Sequence, residues 1–193
     1  MVTVPSSCTA LSCPTVLIIL PWLFLFVLRH IDTAKCYGCE EALGKAVVDS
    51  GVPREELWLT NKLWPGDYLN LALRLIYLEV ELHPFQQPLE LVEYCRKENI
   101  VFEGYCPLAK GQVLTHPSIM ELTEKYSHSE SQICIRWSIQ NGVVTIPTST
   151  KPERVHENCQ VSGFPLTAED LDRISGLHTS QKLIHLTYPI WKG

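Results

Sequence analysis

Three observations predict an α/β protein built on a parallel sheet. From His30 onward, short apolar strand signals alternate with amphipathic helix signals, the pattern of βα units whose strands run side by side in one direction. The chain has 193 residues, 46% of them hydrophobic, enough for one real core and rather short for two. About five strands can be counted, fewer than the eight that close a barrel of roughly 250 residues.

The elements follow in order. LRHID is a short apolar strand that ends in polar residues. CEEALGKAVVDSG predicts a helix with Ala42, Leu43, Ala46 and Val47 on one face, closed by Gly51. Leu57 to Asn61 is a second strand. After a turn at WPGDY, LNLALRLIYLEVELHP begins with helical spacing and becomes strand-like from Leu78 to Leu82. PLELVEYCRKEN is an amphipathic helix, and IVFEGYCPLAKG is a strand running into a loop. HPSIMELTEKYS and SESQICIRWSIQNG are two further helices, the second with a serine cap at its start and Asn141-Gly142 at its end. VVTIP is the last strand, and KPERVHENC and TAEDLDRISG complete the chain as helices.

Residues 1–28 are of a different kind. Val16 to Leu28, VLIILPWLFLFVL, carries no charged side chain. It is shorter than the about 20 residues a transmembrane helix needs, and the longer window from Ala10 includes Pro14 and Pro21. No basic segment precedes it and no A-x-A-like site follows it, as a signal peptide would require. The expectation is an apolar leader of uncertain role before a domain spanning residues 29–193, whose first strand is entered over Val27 to Asp32. Membrane or secretory targeting is the alternative reading of the same apolar length.

The formal net charge of −5 and the absence of a lysine or arginine run exclude a phosphate-tracking surface, so no nucleic-acid partner is expected. The eight cysteines are scattered without a dense framework, which predicts reduced thiols and a cytoplasmic setting, membrane association being the alternative. Cys36 and Cys39 form CYGC, but no second ligand pair stands at zinc spacing, and no metal is expected.

HIDTAKCYGCEEALGKA sets Asp32 and Tyr37 close together after an apolar strand, and LWLTNKLW supplies Lys62 from the next. These motifs resemble two signatures of the aldo-keto reductase family. VELHPFQQPLELVEYCRKENIVFEGYCPLAKG is similar to the segment carrying that family's sixth and seventh barrel strands. SQICIRWSIQNGVVTIPTSTKPERVHENCQVSGFPLTAEDLDRI is similar to its last strand and following helices. The four signatures occur in family order and cover about residues 29 to 178.

The resemblance implies an incomplete (β/α)8 barrel that moves a hydride from NADPH to a carbonyl carbon. Tyr37 would then donate the proton to the carbonyl oxygen. A tyrosine near pKa 10 is a poor acid–base group at neutral pH, and a nearby ammonium favours its phenolate. Lys62 would supply that ammonium, and Asp32 would pair with and orient Lys62. All three would stand at the C-terminal face, where barrel active sites lie.

The cofactor set implied in the same way is Tyr105, stacked on the nicotinamide, with Cys106 and Leu108 at the pyrophosphate. Glu79 stands where the family carries a glutamine before V-E-x-H-P. Thr148 replaces the usual lysine at the adenosine 2′-phosphate, while Ser149 and Arg154 remain at phosphate positions. Glu157 and Asn158 stand at adenine positions. Arg154 suits a phosphate because its fork binds two oxygens at once.

The departures from the family matter equally. No segment resembles L-x-x-H-W-P, which carries the fourth catalytic residue, a histidine. The fourth and fifth strands and the glycine-rich first strand are missing from the pattern. His83, in ELHP, belongs to a motif the family has in addition to that histidine, and His116 and His128 are expected at the surface. The expectation is a truncated or splice-variant-like family member acting on a small carbonyl substrate, with weak or lost activity and self-association through unpaired strands. A non-catalytic pseudo-enzyme that binds nucleotide or a partner is the alternative.

Overall fold

A computed structural model describes residues 9–10, 29–34, 40–62 and 77–184 of the chain. Among them are six strands, β1 (Thr9–Ala10), β2 (His30–Ala34), β3 (Trp58–Lys62), β4 (Tyr77–Glu81), β5 (Val101–Tyr105) and β6 (Val144–Ile146). Every strand pairing is parallel. The strands form two sheets of three, ordered β1-β2-β3 and β4-β5-β6.

The helices are α1 (Glu40–Asp49), α2 (Leu89–Lys97), α3 (Pro117–Tyr126), α4 (Glu130–Gln140), α5 (Pro152–Cys159) and α6 (Ala168–Ser175). Parallel neighbours need a crossover. Helix α1 supplies it between β2 and β3, α2 between β4 and β5, and α3 with α4 between β5 and β6. Two 3₁₀ segments, Arg54–Glu56 and Ala109–Thr115, were not expected from the sequence, because turns so short carry no apolar period.

The boundaries of most elements fall within two residues of their expected places. The leader is richer than expected. Thr9 and Ala10 lie in parallel register with Ile31 and Asp32, so two leader residues extend the first sheet. Val16 to Leu28 and the helix-to-strand run from Leu69 lie outside the described residues until Tyr77.

Helix α1 shows why a period of 3.6 fixes its burial. Leu43 is 5% exposed, while Val48, on the opposite side, is 79% exposed. In the larger half, Phe102, Ile119, Leu122, Ile133, Trp137, Val143 and Ile174 pack into one core. Burying each large side chain contributes about 1.5–3 kcal/mol. Trp137 also donates its indole N–H to Ser175 Oγ at 3.0 Å, giving its one polar atom a partner inside that core.

Gly104 has a specific reason to be glycine. A Cβ built there would stand 3.1 Å from both Leu82 Cβ and Val143 Cγ1. The contact lets β5 lie flat beneath those two side chains. That packing sets the strand end carrying Tyr105.

Candidate functional site

Strands β2 and β3 pair so that Asp32 is in register with Thr60 and Ala34 with Lys62. Asp32 and Lys62 therefore belong to adjacent strands, Asp32 in the middle of β2 and Lys62 at the C-terminal end of β3. Asp32 is fully buried. Tyr37, the third member of the expected triad, lies outside the described residues.

His30, two residues before Asp32, is 1% exposed. Its Nε2 is 2.9 Å from Thr60 Oγ1 and 3.8 Å from Glu103 Oε1 of the second sheet. This contact ties the two sheets together through polar groups. Glu103 is itself fully buried. Neither residue was singled out from the sequence. The available signal was a carboxylate within the apolar strand IVFEGY.

In the second sheet Glu79 is in register with Glu103, and Glu81 with Tyr105. The Tyr105 hydroxyl is pushed up to about 12 by burial and by the nearby charges of Glu81, Glu79 and Cys106, against a backbone hydrogen bond at Glu81. It stays a neutral phenol across the physiological range. Its ring is suited to stacking and not to proton transfer at neutral pH.

Beyond Tyr105 the backbone takes an unusual course. Cys106, Ala109 and Lys110 have φ of 59°, 48° and 53°, and Gly111 follows at 88°. Left-handed conformations cost non-glycine residues free energy and cluster where backbone must meet a ligand. Short bonds hold the loop, Ala109 N–H to the Cys106 carbonyl at 2.9 Å and Gly111 N–H to the Leu108 carbonyl at 2.7 Å. Leu108 is half-buried and packs against the core. Burial pushes the Cys106 thiol up, opposed by its bond with the Lys110 backbone, so it is a protonated thiol at neutral pH.

The C-terminal segment lies against this strand end. Leu183 N–H donates to Glu81 Oε1 at 2.7 Å and Ile184 N–H to Oε2 at 3.2 Å. Lys110 Nζ donates to the Leu183 carbonyl at 3.1 Å. His83, fully buried, bonds Glu81 through Nε2 at 3.0 Å. Sequence reasoning gave Glu81 no role. Its position two residues after Glu79 in an apolar strand was the only available sign.

The phosphate and adenine candidates follow β6. Thr148 is exposed and Ser149 half-buried. The Ser149 hydroxyl accepts from Lys151 N–H at 3.2 Å, which shapes the turn into α5. Pro152 opens that helix at a position whose N–H would have no intrahelical partner. Arg154 is exposed on its first turn, Glu157 is half-buried, and Asn158 is 7% exposed near its end. One side of α5 thus brings together Arg154, Glu157 and Asn158. The structure does not bring this group against Asp32.

His116 and His128, expected at the surface, are half-buried. His116 accepts from Ser118 N–H at 3.3 Å and caps α3, and the His128 ring packs 3.8 Å from the Phe164 ring. Among the described residues no helix is long and apolar enough to cross a membrane.

Residues 70–178 match the profile of the Aldo/keto reductase family. The chain is 31% identical over 230 aligned positions to an uncharacterised oxidoreductase of Caenorhabditis elegans, covering 81% of this chain and 72% of the relative. It is 30% identical over 222 positions to a glyoxal reductase of Bacillus subtilis, covering 80% of each. Both alignments are longer than the chain's own 193 residues, so these relatives carry residues inside the matched span that this chain lacks. The crystal structure of an aldo-keto reductase enzyme from a Medee basin deep-sea metagenome library superposes with a TM-score of 0.88 at 26% identity, over 94% of each chain. The six described strands are those of an incomplete (β/α)8 barrel.

Proposed function

This chain belongs to the aldo/keto reductase family, and we propose that it is an NADP(H)-binding reductase of aldehydes or ketones with weak turnover. The observation that carries the reading is the register of β2 and β3, with Lys62 opposite Ala34 and Asp32 two residues before it. Adjacent parallel strands that carry Asp32 in one and end in Lys62 in the other suit a carboxylate that orients an ammonium. Tyr37, five residues after Asp32 in the sequence, is the proton donor in this reading.

The residues present suit a nicotinamide dinucleotide. Three left-handed non-glycine residues around Leu108 turn the loop after Tyr105 into a shaped backbone cradle, with Tyr105, Cys106 and Leu108 at the nicotinamide and pyrophosphate. Arg154 and Ser149 stand at one end of α5, where helix N–H groups favour an anion. Glu157 and Asn158 stand at the other. Thr148 carries no charge to grip a 2′-phosphate, which weakens the preference for NADP over NAD. Glu79 brings a carboxylate to the nicotinamide end, where a neutral amide would hold the carboxamide group better.

When bound, NADPH supplies the hydride that reduces the carbonyl carbon. The chain's own task is to give the carbonyl oxygen its proton. In this reading Lys62 supplies the positive charge that favours the tyrosinate, and Asp32 is its partner. Without an L-x-x-H-W-P segment in the sequence, no histidine orients the carbonyl. Acid–base groups contribute roughly 10²–10⁴-fold when aligned, so a missing partner leaves turnover slow.

The absence of that segment also favours a second reading, a non-catalytic nucleotide-binding protein. The test is NADPH consumption by purified full-length chain with a reactive aldehyde, against Tyr37→Phe and Lys62→Met. Each variant is expected to lose at least about a hundredfold of the activity. Activity kept by both variants overturns the assignment. NADPH binding with no turnover at all supports the second reading.

A further inference from the structure

We infer that Ser129 and Gln132, at the start of α4, are positioning residues for the adenine end of the nucleotide site. The inference rests on the nucleotide reading above and adds two residues outside its contact set. Ser129 and Gln132 form a capping box. Ser129 Oγ accepts from Gln132 N–H at 3.3 Å, and Gln132 Oε1 accepts from Ser129 N–H at 3.0 Å. In a capping box these side chains serve their own helix end. Here both also reach across to α5.

Gln132 Nε2 donates to the carbonyls of Glu157 and Gln160, at 3.1 and 3.0 Å. These carbonyls lie at the C-terminal end of α5, where the Glu157 carbonyl also accepts the cap N–H of Gln160 at 3.0 Å. The amide is thereby fully used, and its orientation is fixed. Its oxygen faces an N–H and its nitrogen faces two carbonyls. Gln132 is 7% exposed, so water does not compete for these bonds. The backbone on which Glu157 and Asn158 stand is pinned to α4.

Ser129 then fixes the Glu157 side chain. Its hydroxyl has one proton and donates it to Glu157 Oε1. Glu157 Oε2 has no hydrogen-bond partner among the described residues. A carboxylate held by one oxygen presents the other in a single direction. That suits the exocyclic amino group of adenine, a hydrogen-bond donor. A carboxylate fixed beforehand loses less side-chain entropy on binding than a mobile one.

The probes are NADPH and its hypoxanthine analogue, in which a carbonyl oxygen replaces that amino group. Dissociation constants are measured by fluorescence on the full-length protein, wild type, Ser129→Ala and Ser129→Thr. Wild type is expected to prefer NADPH about tenfold, the scale of one hydrogen bond to a charged group. Ser129→Ala should bring that ratio close to one, and Ser129→Thr, which keeps the hydroxyl, should retain it. A purely structural role for Ser129 would weaken both ligands alike and leave the ratio unchanged. An unchanged ratio in Ser129→Ala, or a wild-type ratio of one, overturns the inference. Wild type that binds no NADPH overturns the nucleotide reading itself, and the inference falls with it.

Discussion

Glu81 holds the backbone of Leu183. The carboxylate of β4 accepts the Leu183 amide at 2.7 Å and the Ile184 amide at 3.2 Å, across more than a hundred residues of chain. One buried side chain therefore fastens the C-terminal segment over the strand end that carries Tyr105. Hydrogen bonds to a charged acceptor are worth about 1.5–3 kcal/mol each when well made, which gives this latch a measurable weight.

The latch has a pH dependence of definite sign. Burial raises the Glu81 pKa, but the bonds from Leu183, His83 and Ile184 outweigh it and hold the group below its ordinary 4.5. Burial lowers His83 below 6.5 against the bond and charge of Glu81. For both groups the stabilisation is present above the ordinary value and is lost as pH falls through the folded-state value. Melting temperature is expected to decline from near pH 6.5 downward. Glu81→Gln should cost about 1–2 kcal/mol at neutral pH, remove the part of the decline below pH 4.5 that belongs to Glu81 itself while leaving the His83 part, and speed hydrogen exchange at the Leu183 and Ile184 amides. Unchanged exchange at those amides would refute the latch.

Asp170, in the first turn of α6 behind its Thr167 cap, gathers three donors. Lys125 Nζ and Thr167 Oγ1 each stand 2.7 Å from its Oδ2, and the Tyr126 hydroxyl also donates to it. Burial raises its pKa, but the bonds from Lys125, Tyr126 and Thr167 prevail and bring it to about 2. Its stabilisation is present above 3.8 and lost as pH falls through about 2. Half of the Lys125 side chain is in water, which screens that pair. Asp170→Asn is expected to destabilise the fold by about 1 kcal/mol at pH 7, less at pH 3, as read from urea unfolding. Equal effects at both pH values would count against this account.

Gly104→Ala tests the packing beneath Tyr105. The added methyl meets Leu82 and Val143 at 3.1 Å, and overpacking of this kind costs about 1–3 kcal/mol. Weaker NADPH binding should accompany the lower stability, because Tyr105 is the next residue along β5. Gly111→Ala, in open space but at a φ of 88°, should cost less than Gly104→Ala and act on the loop alone.

Removing residues 1–28 strips β1 from the edge of β2. An unpaired strand edge is a template for association. The shortened chain is expected to sediment as larger species than the full-length chain at equal concentration. Identical sedimentation would mean that the two residues of β1 protect nothing.

Local pattern carried much of this fold. Helix α4 was legible because Ser129, the apolar period and Asn141-Gly142 agree, and its cap forms as those residues predict. Strands β4 and β5 were legible as short apolar runs, although a period of two cannot say that Glu79 and Glu103 fall side by side. That register depends on how the strands pair, which a local window does not contain. Thr9 and Ala10 were illegible for the same reason, since two residues have no period and their strand exists only against Ile31 and Asp32. In the candidate site the resemblance pointed to Tyr105, Cys106, Leu108, Arg154, Glu157 and Asn158. Glu81, Ser129 and Gln132 escaped it because their roles lie in contacts between elements far apart in sequence.

The most direct test of the central claim is a titration of the full-length chain with NADPH, followed by fluorescence, with a reactive aldehyde then added to the saturated sample. The account predicts saturable binding that NADP⁺ displaces, followed by slow consumption of the bound NADPH that Tyr37→Phe abolishes. No saturable binding would contradict the nucleotide site. Micromolar or tighter binding followed by brisk turnover would contradict the weak turnover expected without the missing histidine.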